Sequence, residues 1–325
     1  MTKISDDLKQ KKLSVMFLND EESPCVVSEW VSTGCLALDA IMGGGLPVGR
    51  LVEIFGDPST GKSLIASQIA AIAQQMDAIV LYIDTETAVS KDMMAEVGVD
   101  ISKLLYASPD TVEEVFTIIS ETIDSKISID PDCLLVIIWD SIAATSIKQE
   151  MEAEFGKATM GRHAALISQG LRKITRKISK NKVCFVVLNQ TKEKLGILFG
   201  DNVTTFGGKA VSFHSSIRLH LHMSGKIKLN KHIIGINVKA VTDKNKIAVP
   251  YREAILPIYF GHGIDDTEAS LLFLKDAGII TTSGAYSYIS ITGTKFKFQR
   301  QGWDKLYENN YNAIEEIVMS VYDAN

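Results

Sequence analysis

The sequence predicts an α/β protein with a central, mostly parallel sheet, an N-terminal arm and a small C-terminal α+β domain. Three observations carry that expectation. Short β-branched apolar runs alternate with helix-patterned stretches through the middle of the chain, as in sheets with helices on both faces. The first of these runs opens into a glycine-rich turn and then a helix. Beyond Gly263 the alternation gives way to a different pattern.

The elements follow in order. Residues 1–30 read as a helix-plus-extended arm, residues 31–263 as the core, and residues 264–325 as the small C-terminal domain. Strand candidates in the core are 51–55, 79–83, 134–139 and 183–188, with helical patterns at 63–75 and 111–123 between them. In the C-terminal part, 268–277 reads as helix, 285–298 as a hairpin turning near Gly293, and 303–322 as helix. Each core strand ends in polar or glycine-rich residues: 56–63, then Asp84-Thr85-Glu86, then Asp140-Ser141, then Asn189-Gln190. Ligands bind at the carboxyl ends of strands in open parallel sheets, so four such ends point to one site.

Composition sets the outer bounds. The chain has 325 residues, 46% hydrophobic and 22% charged, ample for a buried core. No apolar run approaches the roughly 18 residues of a membrane span. The polar start lacks an apolar signal region, and Cys25, Cys35, Cys133 and Cys184 show no metal-ligand spacing. A cytoplasmic protein without a membrane partner is the expectation. The net charge of −5 argues on average against nucleic acid, yet it is unevenly spread. Arg162, Arg172, Lys173, Arg176, Lys177, Lys180 and Lys182 crowd one segment, and a local basic face can bind phosphate whatever the total.

Gly56, Asp57, Pro58, Ser59, Thr60, Gly61, Lys62 and Ser63 fit the pattern GxxxxGK[ST] between a strand and a helix. Glycines there let backbone N–H groups wrap a phosphate, and the helix N-terminus favours its charge. Lys62 is placed to reach the β- and γ-phosphates of ATP, and the Ser63 hydroxyl to take a Mg²⁺ position. Asp140, closing an apolar strand, is the candidate carboxylate for that Mg²⁺. Glu86 is the candidate to orient a hydrolytic water; Asp84, nearer its strand, reads as structural.

Residues 196–208 are too rich in glycine and threonine for a helix. Lys192, Lys194 and Lys209 offer phosphate contacts there, and Leu195, Phe199 and Phe206 apolar groups that could stack on bases; a surface loop is the alternative. On helix 161–180, Ile167, Leu171, Ile174 and Ile178 form a core face, which leaves its lysines to solvent. His220 and His222 read as ordinary strand histidines. Lys295, Lys297 and Arg300 suit either a second, duplex-binding surface or an exposed hairpin.

The segments GCLALDAIMGGGLPVGRLVEIFGDPSTGKS, YIDTE, VIIWDSIAA, LNQTKEKLGILFGDNVTTFGGKA and VTDKNKIAVP resemble the bacterial RecA recombinases, in the same order and at similar spacing, from about Val31 onward. The resemblance implies a RecA-type P-loop ATPase core. It implies a DNA-dependent ATPase that forms a helical filament on single-stranded DNA and exchanges strands with homologous duplex DNA in recombination and repair. Glu86 then matches the catalytic glutamate, Asp140 the magnesium-site aspartate and Gln190 the γ-phosphate sensor that begins the second DNA loop. Lys244 and Lys246 match a pair that reaches the neighbouring subunit's nucleotide, and Phe213 an interface residue. For DNA, Met160 and Gly161 match the first loop, with Ser168 and Arg172 behind it. Leu195 matches the wedge between base triplets, and Gly207, Gly208 and Lys209 match backbone-contacting positions. The N-terminal arm resembles the segment that docks on the adjacent protomer.

The chain departs from the family at several positions. Met93 stands where the family has an adenine-stacking tyrosine, Ser90 where it has an aspartate, Ala165 where it has an arginine, and Glu193 where it has an apolar residue. Two rival readings are a non-catalytic filament regulator, disfavoured by Lys62 and Glu86 together, and a ring-shaped helicase, disfavoured by Lys244, Lys246 and the two-glycine loop.

Overall fold

The computed structural model describes residues 26–152, 161–193 and 203–322. Its first half lays down β1 (Trp30–Val31), α1 (Leu36–Met42), β2 (Leu46–Pro47), β3 (Leu51–Gly56), α2 (Lys62–Gln75), β4 (Ile79–Asp84), α3 (Lys91–Glu96), β5 (Leu104–Ala107) and α4 (Val112–Ile129). The middle adds β6 (Leu135–Asp140), α5 (Lys148–Glu152), α6 (Arg162–Ile178), β7 (Val183–Glu193), β8 (Val203–Thr205), α7 (Lys209–His214), β9 (Ile217–Leu229) and β10 (His232–Asn245). The remainder is β11 (Glu253–Tyr259), β12 (Gly263–Ile264), α8 (Asp266–Asp276), β13 (Thr281–Ser283), β14 (Tyr286–Ile291), β15 (Thr294–Phe298), α9 (Arg300–Asn309) and α10 (Tyr311–Ser320).

The large sheet runs β12-β11-β10-β9-β3-β7-β6-β4-β5. From β5 to β9 the strands are parallel, and β10 to β12 join antiparallel at the far edge. Strands β3, β6 and β7 are buried on both faces, which is why their sequences read as nearly unbroken apolar runs. Chain order and strand order differ: α2 carries the chain from β3 past two intervening positions to β4, and β6 and β7 fill the gap later. That arrangement brings the carboxyl ends of β3, β4, β6 and β7 to one edge of the sheet.

Two apolar clusters cover the two faces. One packs α4 and α6 against Leu81, Ile137, Phe185 and their neighbours. Gly170 permits it, since a Cβ there would fall 2.2 Å from the Phe116 ring. The other joins α1 and α2 to the residues beyond 264, so the C-terminal elements share a hydrophobic core with the rest. Polar ties reinforce that contact. Asp266 accepts from the Leu36 N–H at 2.7 Å and from the Tyr307 hydroxyl at 2.5 Å, while fully buried Trp303 donates to the Thr267 carbonyl.

Several elements differ from the sequence reading. The strand expected to end at 188 continues to Glu193, where Thr191 and Lys192 pair with Thr205 and Thr204. Of the segment expected as a loop over 196–208, residues 203–205 form a strand that returns along β7, because β-branched valine and threonine suit a paired strand. The helix expected over 303–322 is two helices, broken at Asn310, whose extended φ of −129° leaves the helical region. The helix expected to start at 268 starts at Asp266, since the Asp265 carboxylate caps it by accepting the Glu268 N–H at 2.9 Å. The hairpin of β14 and β15 does turn at Gly293, with φ +81°.

Candidate functional site

The glycine-rich segment leaves β3 and turns into α2. Gly56 lies so close to β9 that a Cβ would stand 2.3 Å from the Leu221 carbonyl oxygen. Ser59 and Gly61 take left-handed φ values of 63° and 83°, and Gly61 N-caps α2. Buried Thr60 donates to the Asp57 carbonyl at 2.9 Å and braces the turn from inside, while Asp57, Pro58 and Ser59 remain exposed. Lys62 folds back over the loop, its ammonium 3.0 Å from the Gly56 carbonyl and 2.7 Å from that of Asp57. Burial lowers its pKa, and the carboxylates of Asp140, Glu86 and Asp57 oppose that shift. The loop thus presents a lysine surrounded by acids and helix-terminal N–H groups, a cradle suited to a polyphosphate.

The acids come from the carboxyl ends of β4 and β6, beyond β7 in the sheet. In the β4–β6 register Asp84 pairs with Asp140. Asp140 accepts from the Tyr82 hydroxyl at 2.9 Å. Burial raises its pKa, against hydrogen bonds from Ser63 and Tyr82. A hard carboxylate beside the Ser63 hydroxyl is the donor set that a divalent cation prefers. Asp84, also buried, accepts from the N–H groups of Glu86 and Val89 and from the Tyr106 hydroxyl. It shapes the turn that presents Glu86. The Glu86 carboxylate is exposed and held by the Ser141 hydroxyl at 2.7 Å and the Gln190 amide at 3.5 Å. Ser141, Thr85 and Thr145 form a hydrogen-bonded set beneath it that the sequence reading did not single out. The signal available was Ser141 directly following Asp140. A crevice beside the loop is lined by Ser63, Glu86, Ser90, Met93, Asp140 and Gly261, with Met93 54% exposed.

Lys244 and Lys246 stand away from this crevice. Lys244 pairs in register with Arg218 and the Lys246 N–H bonds Ser216, at the amino end of β9, whereas Gly56 lies beside Leu221. Leu221 lies three steps along the strand from Arg218, roughly 10 Å. The Lys244 ammonium reaches the Ser212 carbonyl at 2.5 Å and the Phe213 carbonyl at 3.2 Å; that of Lys246 reaches the Phe213 carbonyl at 3.4 Å. Burial, helped by Lys246 and Arg218, pulls Lys244 down to about 8. Phe213, 71% exposed, shares this surface.

The structure gathers most of the positions matched to DNA contacts. Ser168, Arg172, Gly207 and Lys209 line one open groove with Ala164 and Ala165. Gly161 caps α6 at the mouth of that region, and Gly208 sits 3.2 Å, by a would-be Cβ, from Ala164. Met160 and Leu195 lie outside the described residues. Of the other basic residues, Lys177 is paired with Asp124 at 2.6 Å, and Arg300 with Glu268 and Asp304. The His220 ring stacks on Phe55 and meets Asp243 at 3.3 Å. Among the described residues, no cluster of three His, Cys, Asp or Glu could hold a metal.

A phosphate-binding loop between a central parallel strand and its helix, with acids at the carboxyl ends of two further parallel strands, defines a P-loop ATPase. The RecA N-terminal domain family model matches residues 2–265. The chain is 40% identical to Protein RecA of Syntrophus aciditrophicus over 260 residues, 79% of this chain and 74% of that one. It is 39% identical to Protein RecA of Thermus aquaticus over 267 residues, covering 82% and 77%. With Protein RecA of Geobacter sulfurreducens the identity is 36% over 305 residues, covering 94% and 87%. The chain belongs to the RecA family. It is accordingly a DNA-dependent ATPase that acts in recombination and DNA repair, with ATP as its substrate. No helix among the described residues is long and apolar enough to cross a membrane.

Proposed function

We propose that the chain polymerises on single-stranded DNA as a helical filament in the cytoplasm and pairs that strand with homologous duplex DNA, with ATP and Mg²⁺ bound at the phosphate loop. Residues 1–30 would form the polymerisation arm, 31–263 the core and 264–325 the small C-terminal domain. One observation carries the reading: Glu86, at the mouth of the loop, touches Gln190, and Gln190 opens the β7–β8 hairpin that returns to the Lys209 groove.

The roles follow from placement. Lys62 is freed from the Gly56 and Asp57 carbonyls to hold β- and γ-phosphate oxygens. Ser63 and Asp140 would hold Mg²⁺, which neutralises phosphate charge when bound. Glu86 orients the attacking water, kept in place by Ser141, and Gln190 senses the γ-phosphate. Lys244 and Lys246, too far along the strands for their own loop, act on the neighbour's nucleotide. Gly161, Ser168, Arg172, Gly207, Gly208 and Lys209, with Met160 and Leu195, contact DNA.

Glu86→Gln tests this reading. It should bind a fluorescent ATP analogue normally, lower turnover by about 10²-fold or more, and leave long-lived filaments on DNA visible by negative-stain microscopy. Turnover at the parental rate would remove Glu86 from the mechanism.

A further inference from the structure

Glu53 is a fully buried carboxylate three residues before the phosphate loop. Such a group persists in an interior only when its oxygens are paired. Both are. The Asn189 amide donates to Oε1 at 2.9 Å, and the Arg218 Nε to Oε2 at 2.5 Å. Each partner then reaches the return arm of the β7–β8 hairpin. The Asn189 amide also donates to the Phe206 carbonyl at 2.9 Å, and Arg218 Nη2 lies 3.5 Å from the Thr205 hydroxyl. On its other side the Asn189 carbonyl oxygen accepts the Gln190 N–H at 2.9 Å. The Arg218 guanidinium rests over the Phe55 ring, which fixes its plane. Gln190 touches Glu86, and the Thr191 hydroxyl donates to Asp57 in the phosphate loop. One buried side chain therefore stands between the strand that carries the loop, the strand that carries Gln190, and the hairpin arm leading to Lys209.

We propose that Glu53 is a positioning residue that couples the β7–β8 hairpin to the ATP site through Asn189 and Arg218. The inference rests on the proposed roles of Glu86, Gln190 and the hairpin. A hairpin drawn aside by a bound strand displaces the Phe206 carbonyl. The Asn189 amide can follow only by abandoning the carboxylate or by carrying Gln190 with it. Losing a partner strands a buried charge, so the second course prevails. Closely packed apolar side chains would hold these strands equally well. They would not transmit that displacement, because only the paired carboxylate has directional bonds to Asn189 and Arg218, each of which bonds the return arm in turn.

The full-length protein tests the proposal in three measurements: affinity for a fluorescent ATP analogue, turnover with and without single-stranded DNA, and thermal melting. Glu53→Gln can satisfy Asn189 but leaves Arg218 without its charge partner. It should bind the analogue within about twofold of the parent, while the ratio of DNA-stimulated to DNA-free turnover falls about tenfold. Adding Arg218→Gln removes the stranded charge and should recover part of that ratio. An unchanged ratio in Glu53→Gln overturns the proposal. So does a parallel loss of both turnovers with a lowered melting temperature, the signature of scaffolding alone. Should Glu53→Gln fail to fold, Arg218→Lys decides: it keeps the charge but not the second donor toward Thr205, and an undiminished ratio there overturns the proposal too. Glu86→Gln measured alongside separates the two ideas. Its failure to lower turnover would sink the reading of the ATP site, whatever Glu53 does.

Discussion

At the scale of single residues, buried carboxylates set the chemistry of this protein and also its response to pH. Asp39, on α1, is another such group. It accepts from the Ser32 hydroxyl at 2.6 Å and from the Thr33 N–H and hydroxyl at 2.9 and 2.7 Å. Burial, with a contribution from the Asp266 charge, nevertheless pushes it up to about 7 from 3.8. A carboxyl whose folded pKa is raised holds a proton that the unfolded chain has released. Its stabilising share is complete below about pH 4 and is lost as pH rises toward 7. The melting temperature of the parent should therefore fall between pH 5 and 8 more than that of Asp39→Asn, measured in matched ionic strength. Equal slopes would show that Asp39 is ionised throughout. Legibility at this scale was uneven. Lys62 is readable from the glycine-rich pattern between strand and helix, and Asp140 and Glu86 because they stand at or just past the end of an apolar strand. Ser141, Glu53 and Asn189 are not, because a buried polar side chain declares its partners only once distant strands are side by side.

Elements decide how the proposed DNA-facing surface is built. The β7–β8 hairpin and the α7 start bring Lys209 beside Ser168 and Arg172, on a helix about forty residues earlier in the chain. Lys209 is exposed and belongs to none of the ion pairs found among the described residues, so it suits a phosphate contact. Lys209→Ala should lower the slope of log affinity against log salt by about 0.7 for single-stranded DNA, read by fluorescence anisotropy over a salt series. Retention of the full slope would take Lys209 out of the interface. Strands β3, β4, β6 and β7 and helices α2, α4 and α6 are legible because their apolar patterns are long and regular, whereas the short, half-exposed β5 is not. The return arm of the β7–β8 hairpin is not legible because its strand is only three residues long and sits among glycines that argue against regular structure. The break at Asn310 escaped for the opposite reason: apolar residues on both sides continue the helical period through it, and one backbone angle ends it.

For the whole molecule, the important relation is the one between the phosphate loop and the lysine pair. Lys244 and Lys246 lie at the amino end of β9 beside exposed Phe213, and the loop at the carboxyl end of β3. Catalysis across an interface is then testable by mixing. Lys62→Ala and Lys246→Ala should each be nearly inactive alone, since one lacks the phosphate grip and the other the contribution to its neighbour. In a random equal mixture, roughly a quarter of the interfaces in a head-to-tail array join the intact loop of one variant to the intact lysines of the other. Turnover should recover toward that share. Mixtures as inactive as either variant, with co-assembly verified by differential labelling, would count against the shared site.

The same displacement of lysines from loop makes any chain of protomers directional. A head-to-tail contact that repeats without closing leaves two unlike ends. In the proposed filament the last protomer at one end would show a phosphate loop that no neighbour completes, and at the other Phe213, Lys244 and Lys246 with no nucleotide beneath them. The first terminus would hold ATP without consuming it, so short assemblies would turn over less per protomer than long ones. Subunits would join and leave the two termini at different rates, and the nucleotide at a growing tip would be spent only after the next protomer arrives.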